Sequence, residues 1–160
     1  MIKTKKFEYN EYPSKEVLEA NDRLLLEKAI EASNSAYAPY SEFRVGAALL
    51  LENGEIVIGN NQENAAYPSG LCAERVAMFY ASAKFPGVPF KTIAITANSD
   101  KVNICSPISP CGACRQVMVE YEVISKNPIR VILAGHTGAV QIIDSVNDLL
   151  PFSFGPDELK

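Results

Sequence analysis

Residues 45–59 read VGAALLLENGEIVIG. Two strand-like runs, 45–51 and 55–59, flank Asn53-Gly54, and that dipeptide in such a setting is the strongest short-range signal for a β-hairpin. Upstream, Leu18, Leu25, Ala29, Ala32 and Ala36 recur at helical spacing, with Leu24 and Leu26 widening the stripe, so an amphipathic helix is expected before Pro39. Ser14 is its expected N-cap, and residues 1–14 are expected to be an irregular lead-in.

Downstream, 60–70 is a polar loop punctuated by Pro68 and Gly70. A helix is expected over 72–84, a short buried strand over 92–97, a loop over 98–110 and a second helix over 111–123. Runs at 129–133 and 139–143 pair as strands around Gly135 and Gly138. Ser145 with Asp148 three residues later resembles a capping box for a short last helix. Helices interleaved with hairpins imply a mixed sheet covered on its faces. The expected fold is α/β: a single domain over 1–160, a three-layer α/β/α sandwich around a five-stranded mixed sheet.

Composition narrows the function classes. Of 160 residues 48% are hydrophobic and 21% charged, ordinary for a soluble globular protein. Fifteen basic and 19 acidic residues give a formal charge of −4, no footprint for a nucleic acid partner. No apolar run approaches a membrane span, and nothing behind Met1–Lys6 resembles a signal peptide. Four cysteines then read as metal ligands or free thiols rather than disulfides, and the cytoplasm is the expected location.

Those cysteines carry the chemistry. Cys111 and Cys114 lie at i and i+3, so at a helix start both sulfurs face one way. Cys72, at another helix start, adds a third. Three thiolates with an open fourth position make a catalytic zinc site, whereas a structural site closes all four. Helix N-termini favour thiolates, yet three of them with Zn²⁺ leave one surplus negative charge. Arg75, one turn after Cys72, is the candidate to balance it, a surface salt bridge being the plainer alternative. Glu74 is two residues from Cys72 and points away from it on an ideal helix, so a place beside the ion as an acid/base is expected rather than ligation, a dipole-stabilising surface carboxylate being the plainer alternative. A Cys111–Cys114 redox pair is the competing reading.

The strings CAERVA at 72–77 and SPCGACRQ at 109–116 resemble the cytidine deaminases, specifically the small, three-cysteine branch that forms homotetramers. The resemblance continues through AYAPYSEFRVGAALL at 36–50, NQENAAY at 61–67 and LLPFSF at 149–154, covering roughly residues 18 to 159. It implies one zinc per subunit on Cys72, Cys111 and Cys114, with Glu74 carrying protons in the hydrolysis of cytidine or 2′-deoxycytidine to uridine or 2′-deoxyuridine plus ammonia. It also implies a nucleoside pocket containing Phe43 and Ala73, a sugar-binding pair Asn61 and Glu63, and Ala65, Tyr67 and Phe154 completing a neighbouring subunit's pocket. Phe43 as strand core, Asn61 and Glu63 as loop polars, and Phe152 with Phe154 sealing the last helix are the plainer alternatives. The lead-in to about residue 17, the 98–106 loop and Asn60 depart from the family pattern.

The implied role is pyrimidine salvage, with a nucleoside as partner and neither nucleic acid nor membrane. The rivals are a deaminase of another cytosine compound, such as a nucleotide or nucleoside antibiotic, a structural zinc module with Cys105 as fourth ligand, and a dithiol redox protein. Cys105, in an irregular loop, reads as a free, partly buried thiol, and His136 as a solvated turn residue.

Overall fold

The computed structural model describes residues 1–159; Lys160, the end of the expected domain, lies outside them. In chain order the elements are β1 (Asn10–Tyr12), α1 (Ala20–Ser33), β2 (Phe43–Leu51), β3 (Ile56–Asn60), α2 (Ala73–Lys84), β4 (Phe90–Ser99), α3 (Gly112–Ser125), β5 (Arg130–Ala134) and β6 (Val140–Ile143). The sheet order is β1-β6-β5-β4-β2-β3. Among these strands only β4 and β5 pair in parallel, because α3 is the crossover between them; parallel neighbours need such a connection.

Alternation along the strands builds the three layers. Ala47, Leu49, Ile93, Ile95, Val131 and Leu133 point to one face, where α2 (Ala77, Met78) and α3 (Met118, Val119) cover them. Ala48, Ala94, Ile132 and Ile142 point to the other, covered by Leu25, Leu26 and Ala29 of α1. The β2–β3 hairpin forms as expected, with Leu50 opposite Ile56. Its loop includes Gly54 at φ 87°, a conformation that disfavours any side chain. At Gly59 the reason for glycine is closeness: a Cβ there would lie 2.6 Å from Ala73 O, so α2 packs directly on the β3 backbone.

Four expectations are corrected. The sheet has six strands, not five, because the lead-in is not wholly irregular: Asn10, Glu11 and Tyr12 pair antiparallel with Ile142, Gln141 and Val140 and cover the β6 edge. Helix α1 begins at Ala20 and ends at Ser33; Ser14 makes no capping hydrogen bond, and residues Lys15–Val17 form an isolated 3₁₀ turn. Leu24 is 49% exposed, while Leu26 is fully buried. The helix expected after Ser145 is a single 3₁₀ turn, Val146–Asp148, which Ser145 caps by accepting from Asn147 N at 3.2 Å; a further 3₁₀ turn, Pro156–Leu159, follows.

Candidate metal centre and nucleoside pocket

Helices α2 and α3 start directly after Cys72 and Cys111, which therefore occupy their N-cap positions with extended backbone. Cys114 falls in the first turn of α3 and is buried. Both helices lie on the same face of the sheet, and their starts meet. Cys72 Sγ and Cys111 Sγ are 3.9 Å apart, and all three sulfurs lie within 4.8 Å of one another. Tetrahedral zinc about 2.3 Å from each sulfur would set them about 3.8 Å apart. The spacing therefore fits an ion after a contraction of at most about an ångström.

The charge around the cluster fits as well. The Cys72 thiol is lowered to about 5, first by the hydrogen bond from Cys114 and then by Arg75. Cys114 is pushed up, first by that same bond and then by burial; a dication would take the place of the proton it keeps. Arg75 donates from Nη2 to Cys72 Sγ at 3.4 Å, which directs its charge to the cluster rather than to solvent. Its Nε is buried without an acceptor, so the site retains donor capacity for more negative charge than neutral thiols carry.

Glu74 is 4% exposed. Burial, and after it the Cys72 thiolate, holds its carboxyl above the usual carboxylate range, the direction that suits a group trading protons near neutral pH. It opens on a cavity of about 430 Å³ together with Phe43, Asn61, Ile108, Ser109 and Cys111. A neighbouring cavity of about 470 Å³ shares Asn61 and Cys72 and holds Glu63, Tyr67 and Arg75. Phe43 is thus a pocket wall rather than strand core.

Asn61 and Glu63 are more than loop polars. Asn61 accepts from Val45 N (2.8 Å) and donates to Phe43 O (2.9 Å), bridging the strand that forms the pocket wall. Glu63 accepts from Tyr40 N at 2.8 Å, Ser41 N at 3.3 Å and Ser41 Oγ. The Ser41 hydroxyl first, and the two backbone N–H groups after it, hold its carboxyl below the usual range.

Ala65 and Tyr67 are exposed, Tyr67 at the rim of the second cavity, and Phe154 is 58% exposed. Phe152 is 94% exposed, so the two phenylalanines do not seal the last turn onto the core. Ala73 is fully buried and lines neither cavity. Cys105 is exposed, not partly buried, and stands apart from the thiolate cluster. His136 is exposed as expected, its backbone N donating to Ile104 O at 2.7 Å.

Sequence reading missed Val45, Ile108 and Ser109 among the lining residues. Val45 was within reach, since it is two residues along the strand from Phe43 and shares its face; Ile108 and Ser109 come from a loop without periodicity.

A family model described as the cytidine and deoxycytidylate deaminase zinc-binding region matches residues 19–129. A cytidine deaminase of Halalkalibacterium halodurans is 40% identical over 140 residues, 86% of this chain and 97% of that one. A cytidine deaminase of Sporosarcina psychrophila is 41% identical over 137 residues, 85% of this chain and 93% of that one. Among solved structures, a cytidine deaminase from Burkholderia pseudomallei is similar with a TM-score of 0.71 at 44% identity, covering 82% of this chain and 97% of that one.

Proposed function

This chain belongs to the cytidine and deoxycytidylate deaminase family, and on that premise we propose that it hydrolyses free cytidine and 2′-deoxycytidine to uridine and 2′-deoxyuridine plus ammonia. The observation that carries the reading is that Cys72, Cys111 and Glu74 open together on the cavity walled by Phe43. Cys72, Cys111 and Cys114 would hold one zinc per subunit, which when bound supplies an open position where water is made acidic.

Glu74 carries the protons. Its carboxylate takes one from water and delivers it to ring nitrogen 3 of cytosine as the new C4–O bond forms. It then takes the proton of the new C4 hydroxyl and gives it to the amino group, so that the C4–N bond breaks and ammonia departs. Burial of Glu74 keeps that proton from exchanging with bulk solvent. Arg75 offsets the surplus negative charge of the thiolates. Asn61 and Glu63, already tied to the backbone, are rigid acceptors and donors for the sugar hydroxyls.

A free nucleoside is favoured over a nucleotide because, among the described residues, Arg75 is the only cationic side chain lining the two cavities, and it is engaged by Cys72. A 5′-phosphate would find no cationic clamp beyond it. The dithiol redox reading leaves Cys72 and Glu74 without a purpose. A structural zinc site needs a fourth ligand, and Cys105 is not in the cluster.

Exposed Tyr67, Ala65 and Phe154 are the surfaces that neighbouring subunits of a homotetramer would receive, each completing another's pocket. Ala73, being buried, would serve through its backbone. We assign the whole chain to one catalytic domain and to the cytoplasm, where metal-binding thiols stay reduced; no helix of the described residues is long and apolar enough to cross a membrane. Ultraviolet assays on cytidine, deoxycytidine and their monophosphates, with and without a chelator, test the proposal. Turnover of the nucleosides that a chelator abolishes and zinc restores is the expected result. Chelator-resistant activity, or activity on the monophosphates alone, would refute it.

A further inference from the structure

The three sulfurs are not held equally. Cys114 is buried within a helical turn, and Cys72 receives Arg75. Cys111 is exposed and sits at an N-cap without a side-chain capping bond. Packing does little to fix it, so something else must aim its sulfur at the cluster.

Arg115 is placed to do so. Its Nε donates to Pro110 O at 2.9 Å, and its Nη1 donates to Leu149 O at 2.9 Å. We infer that Arg115 is a positioning residue for the metal centre: it clamps the Pro110–Cys111 peptide to the C-terminal segment at Leu149 and so holds the Cys111 sulfur in the cluster. The inference rests on the assignment of Cys111 as a zinc ligand.

The physical argument is dihedral. The ring of Pro110 locks its φ, and the following peptide is planar. The one soft rotation that steers the chain into Cys111 is therefore ψ of Pro110, which also sets the direction of the Pro110 carbonyl. A charge-assisted hydrogen bond to that carbonyl fixes this angle. A guanidinium presents its donors in a rigid fork, so it can hold two carbonyls from different segments in one geometry; an ammonium is a point charge and cannot. Leu149 then acts as the anchor. The next residue, Gln116, holds only the tail, donating to Phe154 O at 2.7 Å, which makes it a natural control.

The test is the rate at which zinc-loaded protein yields its metal to a chromophoric chelator, measured well below the melting temperature, which is recorded for each variant. Arg115→Met keeps the aliphatic stem and removes both donors; it should release zinc roughly ten- to a hundredfold faster than wild type if the loss of affinity usual for groups that orient metal ligands falls on the off-rate. Arg115→Lys should fall between the two, and it decides alone if the Met variant does not fold. Gln116→Ala should release zinc at the wild-type rate. Folded Arg115 variants that keep zinc as long as wild type overturn the inference, as does a Gln116→Ala variant that loses it equally fast. A wild-type protein that binds no zinc refutes the ligand assignment itself, and the inference with it.

Discussion

Glu122 offers the sharpest test of how this fold is held together. It lies on α3, 6% exposed. Its Oε2 accepts from Ile129 N at 2.7 Å and Val146 N at 2.9 Å; its Oε1 accepts from Ser145 Oγ at 2.7 Å and from Asn147 Nδ2. One carboxylate thus joins α3 to the start of β5 and to the turn from which the C-terminal segment leaves. Ile129 and Val146 are both fully buried, so Glu122→Ala strands two backbone N–H groups away from water. Each such loss costs about 1–3 kcal/mol, and the bonds to Ser145 and Asn147, nearer solvent, add little. A total of about 4 kcal/mol corresponds to a fall of about 8–16 °C in melting temperature for a chain of this length.

Glu122→Gln separates acceptor from charge. Its amide oxygen can stay on the Oε2 side and keep both backbone donors. Its amide nitrogen can donate to Ser145 Oγ, while Asn147 turns to present its own oxygen. The expected loss is therefore about 1 kcal/mol, or about 2–4 °C. Calorimetric melting of zinc-saturated protein at one fixed concentration is the assay. A Glu122→Ala variant within about 3 °C of wild type would refute the reasoning. So would a Gln variant as damaged as the Ala one, because charge rather than the acceptor would then be what matters.

Glu74→Gln should keep its zinc by metal analysis while kcat falls by at least about 10²- to 10⁴-fold; a near-normal rate would remove Glu74 from the chemistry. Cys105→Ser should retain one zinc per subunit and full turnover, and loss of metal would revive a structural zinc site. Gly59→Ala forces a Cβ to within 2.6 Å of Ala73 O and Ala77 N, so it should destabilise by about 1–3 kcal/mol or more and lower turnover by displacing the start of α2. Wild-type melting and rate would show that α2 yields easily. Phe154→Ala should raise KM for cytidine with the assembly unchanged by light scattering; an unaltered KM would detach that residue from any neighbour's pocket.

Glycine 59 and Glu122 also show where sequence reading stops. A glycine in a strand and a glutamate late in a helix look unremarkable, because what each touches lies in other elements. The first strand is the same case: three residues are too few for a periodic signal, and their pairing depends on a β6 edge about 130 positions away. Ser14 has the local chemistry of a cap, yet the backbone there makes only a single 3₁₀ turn before α1 begins. Ile108 and Ser109 reach the pocket from a loop, where no periodicity marks them.

By contrast, the thiolate set, Glu74, the Asn-Gly hairpin and the helices α2 and α3 were legible from residue types and spacing. Their rules act over one turn of helix or one hairpin: a cysteine at a helix start gains the dipole and free N–H groups whatever the rest of the chain does. The sequence by itself therefore determined which three thiols and which carboxylate are the candidates for the chemistry. Only the tertiary structure decided that two distant helix starts meet within 4.8 Å, that Arg75 turns to the thiolate, and that Asn61, Glu63 and Arg115 use backbone groups to hold the site in shape. Such contacts form between segments whose nearness is set by sheet order and helix packing, which no local pattern encodes.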